Sequence, residues 1–248
     1  MMTSARKLWT TLSLAVVTVI CLSSFAVAGN VSAQISDPPS NNILDNIYVG
    51  PYSATNLQTG ASMSIICDDF KDESNYNPAT YTTNSFSTLG NTLWGSSLLH
   101  QGDTMSQVTA LYEQAGWLVF GMVNATGAQQ GYYSYALWAV FDASDVLSWL
   151  KNANDMAACN AVFGNNCTST HAGAGSLLYS AQQNYASGNY SNLLILTPTG
   201  CTAAGCPEQE FFELVPEGGS ALLYLLLSGF ACFGAVWYSK RKRLTATA

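Results

Sequence analysis

Near its C-terminus the chain carries an uncharged apolar run, Ala221 to Tyr238, followed by Lys240, Arg241, Lys242 and Arg243. A run of this length is at the lower limit of what crosses a hydrocarbon core of ~30 Å as a helix, and the cations behind it favour the cytoplasmic side. The expectation is one transmembrane helix over 220–238, a basic stop-transfer end at 240–243 and a cytoplasmic tail at 244–248. At the other end, Arg6 and Lys7 precede the uncharged stretch Leu8 to Ala28, which closes on Ala26-Val27-Ala28. A basic start, an apolar middle and an Ala-x-Ala end predict a secretory signal peptide over 1–28, cut before Gly29 or, in the alternative, after Ala33. The mature chain is therefore expected to be exported, with Cys21 lost as an apolar filler of the signal peptide. Residues 29–214 remain for folding, a size that suits one domain.

Charge narrows the partners. Of the eight Lys and Arg, six lie in the two terminal segments, which leaves Lys71 and Lys151 against fifteen acids and a net charge of −13. Phosphate binding needs clustered cations, so nucleic acid is excluded as a partner. A surface of Asn, Ser, Thr, Gly, Gln and Tyr stays soluble by neutral hydrogen bonding and net repulsion, which suits a cell surface. In an oxidising compartment the remaining cysteines are disulfide candidates. Cys159 with Cys167 and Cys201 with Cys206 each enclose a short Gly/Asn/Ala-rich loop. Cys67 has no near partner, and spacing alone leaves longer pairings open.

The periodicity predicts an α+β domain, an antiparallel β-sheet or barrel with an inserted helical portion. Residues 29–42 read as an exposed leader, because Pro-Pro and Asn-Asn punctuate its second half, and the ordered domain is expected over 43–214. Asn46 to Tyr52 and Ala61 to Cys67 read as two antiparallel strands about the turn 56–60, and Thr80 to Thr88 as a third. Leu89 to Gln101 reads as irregular. Thr104 to Gln107 has capping-box form, and Val108, Leu111, Ala115, Leu118 and Met122 follow at helical spacing, so a helix is expected from Met105 to Met122. Further helices are expected at Gln129 to Phe141, Val146 to Leu150 and Ala172 to Ala186, with Asp142 to Ser144 separating the first two. Asn192 to Leu196 and Gln209 to Leu214 read as closing strands.

Ahead of the apolar run stand Val215, Pro216, Glu217, Gly218 and Gly219. Together with the run and the basic end, in that order over 215–243, they resemble the PEP-CTERM sorting signal of bacterial exported proteins. The resemblance implies processing by an exosortase, a membrane-embedded cysteine transpeptidase-like enzyme that cuts near the Pro-Glu element. It also implies residence at the inner membrane beforehand, then placement at the cell surface or in extracellular polysaccharide and biofilm matrix. Polysaccharide or surface proteins are the partners that this location suggests. The alternative is an ordinary C-terminal anchor.

A second resemblance covers the domain itself. Cys67-Asp68-Asp69-Phe70 at a strand end, Tyr112 with Ala115, Trp117 and Leu118, the block Tyr135 to Asp142, and a strand carrying Gln209-Glu210-Phe211 resemble other PEP-CTERM exoproteins and the thioester domains of bacterial surface adhesins. In those domains an early Cys is joined to a Gln of a Thr-Gln-x-Ala-Ile-Trp helix, and the bond acylates nucleophiles of host or matrix. Setting that block on this chain puts Tyr133 on the Thr and Ser134 on the Gln. The resemblance thus implies a retained shape without the bond, since the Ser134 hydroxyl has no acyl carbon to offer, with Cys67 and Ser134 as degenerate thioester positions. Gln129 or Gln130 is the alternative amide, about 6 Å away along the helix for a shift of one turn. The plainer reading of Cys67 and Trp138 is a buried thiol beside an aromatic core.

No enzyme signature accompanies these features. There is no His-Glu-x-x-His, Gly-x-Ser-x-Gly or Gly-rich phosphate loop, and His100 and His171 sit in polar loop-like settings. No cofactor is expected, and no metal, since the Cys pairs lack zinc spacing with accompanying His. The acidic cluster Asp68, Asp69, Asp72 and Glu73 reads as a solvated turn, with Ca²⁺ through its carboxylates as the alternative. The leading expectation is a non-enzymatic structural or adhesive surface protein. The alternative is a secreted carbohydrate-active hydrolase built on an Asp/Glu pair, which would leave no local motif.

Overall fold

In the computed structural model, residues 29–36, 43–70, 76–164, 167–200 and 208–215, with Gly229, are described. Six strands close into an antiparallel barrel, β1 (Asn30–Ile35), β4 (Tyr52–Asn56), β5 (Ser62–Cys67), β8 (Phe211–Leu214), β7 (Leu193–Pro198) and β6 (Ala79–Asn84), in that order around the wall. A short hairpin of β2 (Ile43–Leu44) and β3 (Ile47–Tyr48) stands apart. The alternation of the strands dictates the barrel. Val31, Ala33, Ile35, Tyr52, Ala54, Met63 and Ile65 recur at every second position and are buried. Their registers place them on one face, together with Tyr81, Leu196 and Phe211. Tyr52 and Tyr81 meet Phe211 edge-on at 6.3 and 5.9 Å. Between β4 and β5, Asn56 Oδ1 accepts the Gln58 and Thr59 N–H groups at 3.0 and 3.1 Å, and Gly60 takes φ +72°, which completes a tight turn.

The opposite face of β5, β7 and β8 presents Ile66, Ile195, Leu193 and Phe212, all buried under helices. These helices are inserted between β6 and β7: α1 (Leu93–Gln101), α2 (Met105–Asn124), α3 (Ala128–Ala153), α4 (Met156–Phe163) and α5 (Leu177–Asn184). The capping box at Thr104 and Gln107 is formed, and the fully buried Val108, Tyr112, Ala115, Leu118 and Met122 make α2 the central helix. Gly131 lets the hairpin approach α3, because a Cβ there would lie 2.6 Å from Leu44 Cδ2. Tyr135 donates its hydroxyl to the Leu44 carbonyl at 3.1 Å. Cys159 and Cys167 form a disulfide, as their spacing suggests.

Several boundaries differ from expectation. Asn30–Ile35, expected as exposed leader, is a barrel strand, because Val31, Ala33 and Ile35 alternate and Pro-Pro begins only at 38. The first hairpin strand starts at Tyr52 rather than Asn46; Asp45 and Asn46 adopt positive φ and turn the earlier residues into the separate hairpin. Leu89 to Gln101, expected as irregular, holds a 3-10 turn and α1, which is capped by Thr92 accepting from Gly95 N–H at 3.0 Å. Within 128–153 the helical run is broken at Asp142 (φ −139°, ψ 67°), whose Oδ1 accepts the Asp145 N–H at 3.3 Å, so the stop and new cap expected there are present and α3 is two helices joined at a kink. Met156–Phe163 is an additional helix, capped by Asp155. The compact unit that holds the barrel and helices spans Ala28–Val215. Among the described residues no helix is long and apolar enough to cross a membrane. The signal peptide, the sorting-signal residues Pro216 to Gly219, the basic end 240–243, Cys201 and Cys206 lie outside the described residues, as does the apolar run apart from Gly229.

Candidate functional site

The seam between β5 and β8 brings two pairs of polar residues together from opposite ends of the sequence. Register sets Cys67 opposite Phe211, and the Asp68 N–H donates to the Glu210 carbonyl at 3.3 Å just beyond the paired strands. Cys67 and Gln209 are thus diagonal neighbours on the barrel-interior face, while Asp68 and Glu210 fall on the face under the helices.

On the interior face, Cys67 Sγ lies 3.0 Å from Gln209 Oε1 and 2.9 Å from the Asp69 carbonyl, so its single proton has two acceptors. The Asp69 N–H points back at the sulfur from 3.3 Å, and Gln209 Nε2 donates to the Asp69 carbonyl at 3.2 Å. Cys67 is 2% exposed and Gln209 7%, so both are buried. Trp138 Nε1 donates to the Cys67 carbonyl at 3.0 Å, and its ring packs against Phe70 and Tyr135 at 5.3 and 5.4 Å. Trp138 is therefore both the aromatic wall and the clamp on the backbone of Cys67. Burial, then the neighbouring charges of Asp68 and Asp69, pushes the thiol well above its usual range and holds it neutral.

On the other face Glu210 is completely buried. Its Oε2 accepts from Thr197 Oγ1 at 2.6 Å and from the Leu93 N–H at 2.8 Å; its Oε1 lies 2.8 Å from the Tyr112 hydroxyl, which is also 2.7 Å from Thr92 Oγ1. Asp68 is also fully buried, its carboxyl oxygens have no hydrogen-bond partner within full bonding geometry, and it lies against Glu210. Two acceptors can share such a contact only through a proton. Burial first, then the Glu210 charge, drives Asp68 well above the carboxylate range, whereas the donors around Glu210 offset part of its own burial penalty. Of the two carboxyls, Asp68 is accordingly the one that holds its proton more firmly.

Ser134, placed on the thioester amide position from sequence, is elsewhere. Its hydroxyl accepts the Gly50 N–H at 2.7 Å and donates to the Gln130 carbonyl at 3.2 Å, tying the hairpin to α3. The side-chain amide beside Cys67 comes from Gln209, 142 positions away in the chain. The expected solvated acidic turn is corrected at Asp68 and Asp69, which are buried; Asp72 and Glu73 lie outside the described residues. Among the described residues no group of three or more His, Cys, Asp or Glu is arranged to hold a metal. His100 lies on α1 rather than in a loop, with Nδ1 2.7 Å from the Ser96 carbonyl, and His171 is exposed. Val215 donates its N–H to the Asn192 carbonyl at 2.9 Å, so the first residue of the expected sorting element follows directly from β8. Gln209 and Glu210 were visible in sequence only as part of a strand motif; Tyr112, Thr92 and Thr197 carried no signal that set them beside Glu210.

Comparison of the chain with protein-family models, curated proteins and solved structures finds no match.

Proposed function

We propose that this chain is an exported protein of the cell envelope or extracellular matrix that attaches covalently through an internal thioester between Cys67 and Gln209. The observation that carries this reading is the buried contact of 3.0 Å between the Cys67 thiol and the Gln209 side-chain amide. In the forming step the sulfur attacks the amide carbon; the S–C bond forms, the C–N bond breaks, and the thiol proton leaves with the nitrogen as ammonia. A primary amine of a partner then attacks the same carbon. The N–C bond forms, the C–S bond breaks, and a proton returns to sulfur, leaving an amide link to the former Gln209 side chain. Burial keeps water from the bond until the partner arrives. Each site acts once, so the protein is an adhesive rather than an enzyme.

Intact mass of the protein recovered after export tests this. Wild type is expected one ammonia lighter than its sequence, with methylamine removing the deficit by adding to Gln209, and Cys67→Ser and Gln209→Ala are expected at full mass. A wild type at full sequence mass with a Cys67 thiol that alkylates on unfolding sinks the thioester.

The route to the surface rests on the terminal segments. Processing near Pro216-Glu217 by an exosortase-like enzyme is supported by the order of sorting element, apolar run and basic end. Pro216→Ala combined with Glu217→Ala is expected to leave export intact while a full-length membrane form accumulates. If wild type also retains Lys240 to Arg243, the segment is only an anchor.

A further inference from the structure

A cleft of about 300 Å³ lies between the loop that follows β6, the loop that precedes β7 and one side of α2. None of its lining residues belongs to the Cys67 or Glu210 clusters. Its wall is aromatic. Tyr190 is stacked with Phe86 at 5.3 Å and 14°, and with Phe120 at 5.9 Å and 16°. The Tyr190 hydroxyl donates to the Tyr185 carbonyl at 2.6 Å. Gly116 gives its ring room, since a Cβ there would lie 2.7 Å from Tyr190 Cδ1, and Gly188 does the same beside the hydroxyl. Tyr190 is thus held rigidly, and Phe86, half-buried, is the ring left partly open to a ligand.

The rim has a different chemistry. Ser87, Asn189 and Ser191 are exposed and carry neutral donors and acceptors. Ser85 and Ser87 join hydroxyls at 2.8 Å, and Asn189 Oδ1 accepts the Ser191 N–H at 3.1 Å, so both short loops are braced locally. Glu113 of α2 is the one ionisable acid in the lining, and no Lys or Arg accompanies it. An aromatic face beside closely spaced neutral hydrogen-bonding groups matches a pyranose ring, whose C–H face is apolar and whose edge is a row of hydroxyls. A carboxylate accepts from such hydroxyls but repels uronate, sulfate or phosphate groups. The volume lies at the small end of the ~300–1,000 Å³ range of ligand sites, which suits a short stretch of glycan.

We propose that this cleft binds an uncharged stretch of polysaccharide, with Phe86 against a sugar ring and Ser87, Asn189, Ser191 and Glu113 on its hydroxyls. This site extends the surface role to a partner class and does not use the thioester, so either can fail alone.

Calorimetric titration of the exported protein tests it with cellohexaose, maltohexaose and chitohexaose as neutral probes, polygalacturonate as an anionic one, and a proline-rich peptide as a rival occupant. At least one neutral hexamer is expected to bind, with Phe86→Ala and the exposed variant Asn189→Ala each weakening it about tenfold or more. Cys67→Ser is expected to leave that affinity unchanged. Failure of all three neutral probes, tighter binding of polygalacturonate or the peptide, or affinity indifferent to Asn189→Ala overturns the proposal. Asn189→Ala keeps the test valid if Phe86→Ala does not fold.

Discussion

The two faces of the β5–β8 seam hold neighbouring residues of the same two strands in opposite chemical conditions. On the helix-covered face, Glu210 collects Thr197 of β7, Leu93 of α1 and Tyr112 of α2 as well as Asp68. On the barrel-interior face, Cys67 and Gln209 face each other with the Asp69 backbone as their shared partner. The first arrangement surrounds Glu210 with donors and leaves both Asp68 oxygens without one; the second holds a neutral thiol against an amide oxygen, the pair that the proposed thioester would join. A buried acceptor with several donors is costly to remove, whereas a thiol and an amide that satisfy each other can be replaced with little structural loss. The difference separates a residue pair that holds the seam from one that, on the proposed function, reacts across it.

Removing the holding pair is expected to have the largest effect. Glu210→Ala leaves the Tyr112 and Thr197 hydroxyls and the Leu93 N–H without their acceptor and should cost about 3–5 kcal/mol in urea unfolding. Cys67→Ser should cost far less, and equal losses would erase the comparison. Trp138→Ala comes next, at about 3 kcal/mol or more, because it opens a cavity between Phe70 and Tyr135 and frees the Cys67 carbonyl. In that variant the mass deficit should form more slowly or incompletely, which a purely packing role for Trp138 does not require.

Asp68→Asn sharpens the contrast through pH. The unfolded Asp titrates near 3.8, whereas folded Asp68 keeps its proton well above that. Below 3.8 both states are protonated and the stabilisation is fully present. As pH rises through the folded pKa it is lost, because the unfolded state has released a proton that the folded state retained. Wild-type stability should therefore fall as pH rises above the unfolded value of 3.8, and Asp68→Asn should flatten that fall. Some slope should persist, since burial also raises Glu210, Glu213 and Asp45. An unchanged slope would show that Asp68 is not the proton carrier. The smallest effect is expected from Ser134→Ala, about 1–2 kcal/mol for the lost partner of the Gly50 N–H, with the mass deficit untouched. Loss of the deficit would return Ser134 to the reactive site.

Much of the architecture was legible because its signals are local. Period-two burial in Ser62–Cys67, the capping box at Thr104, and the Asn56 turn each depend on residues within a few positions of one another. The leader and the Asn46 strand were misread for a related reason: Asn30–Ile35 is strand by its partners, and Asp45 and Asn46 turn by backbone conformations that composition does not specify. Cys67 was singled out as a strand-end thiol, and Trp138 as its aromatic neighbour. The amide partner was sought one helix away, at Ser134, because the Tyr135 to Asp142 block is a contiguous pattern and Gln209 is not part of it.

By itself the sequence determined the α+β mixture, the inserted helices, the near absence of cations between the terminal segments and the local Cys159–Cys167 loop, all consequences of spacing or count. Only the tertiary structure decided which strand lies beside β5, and with it that Gln209 meets Cys67 while Glu210 meets Asp68. Side chains alternate across a strand, so a slip of one residue in that register would exchange the two faces, put the carboxyls in the barrel and bury the thiol under the helices. No local pattern encodes that register; it is set by barrel closure and by the packing of α2 and α3 against the seam.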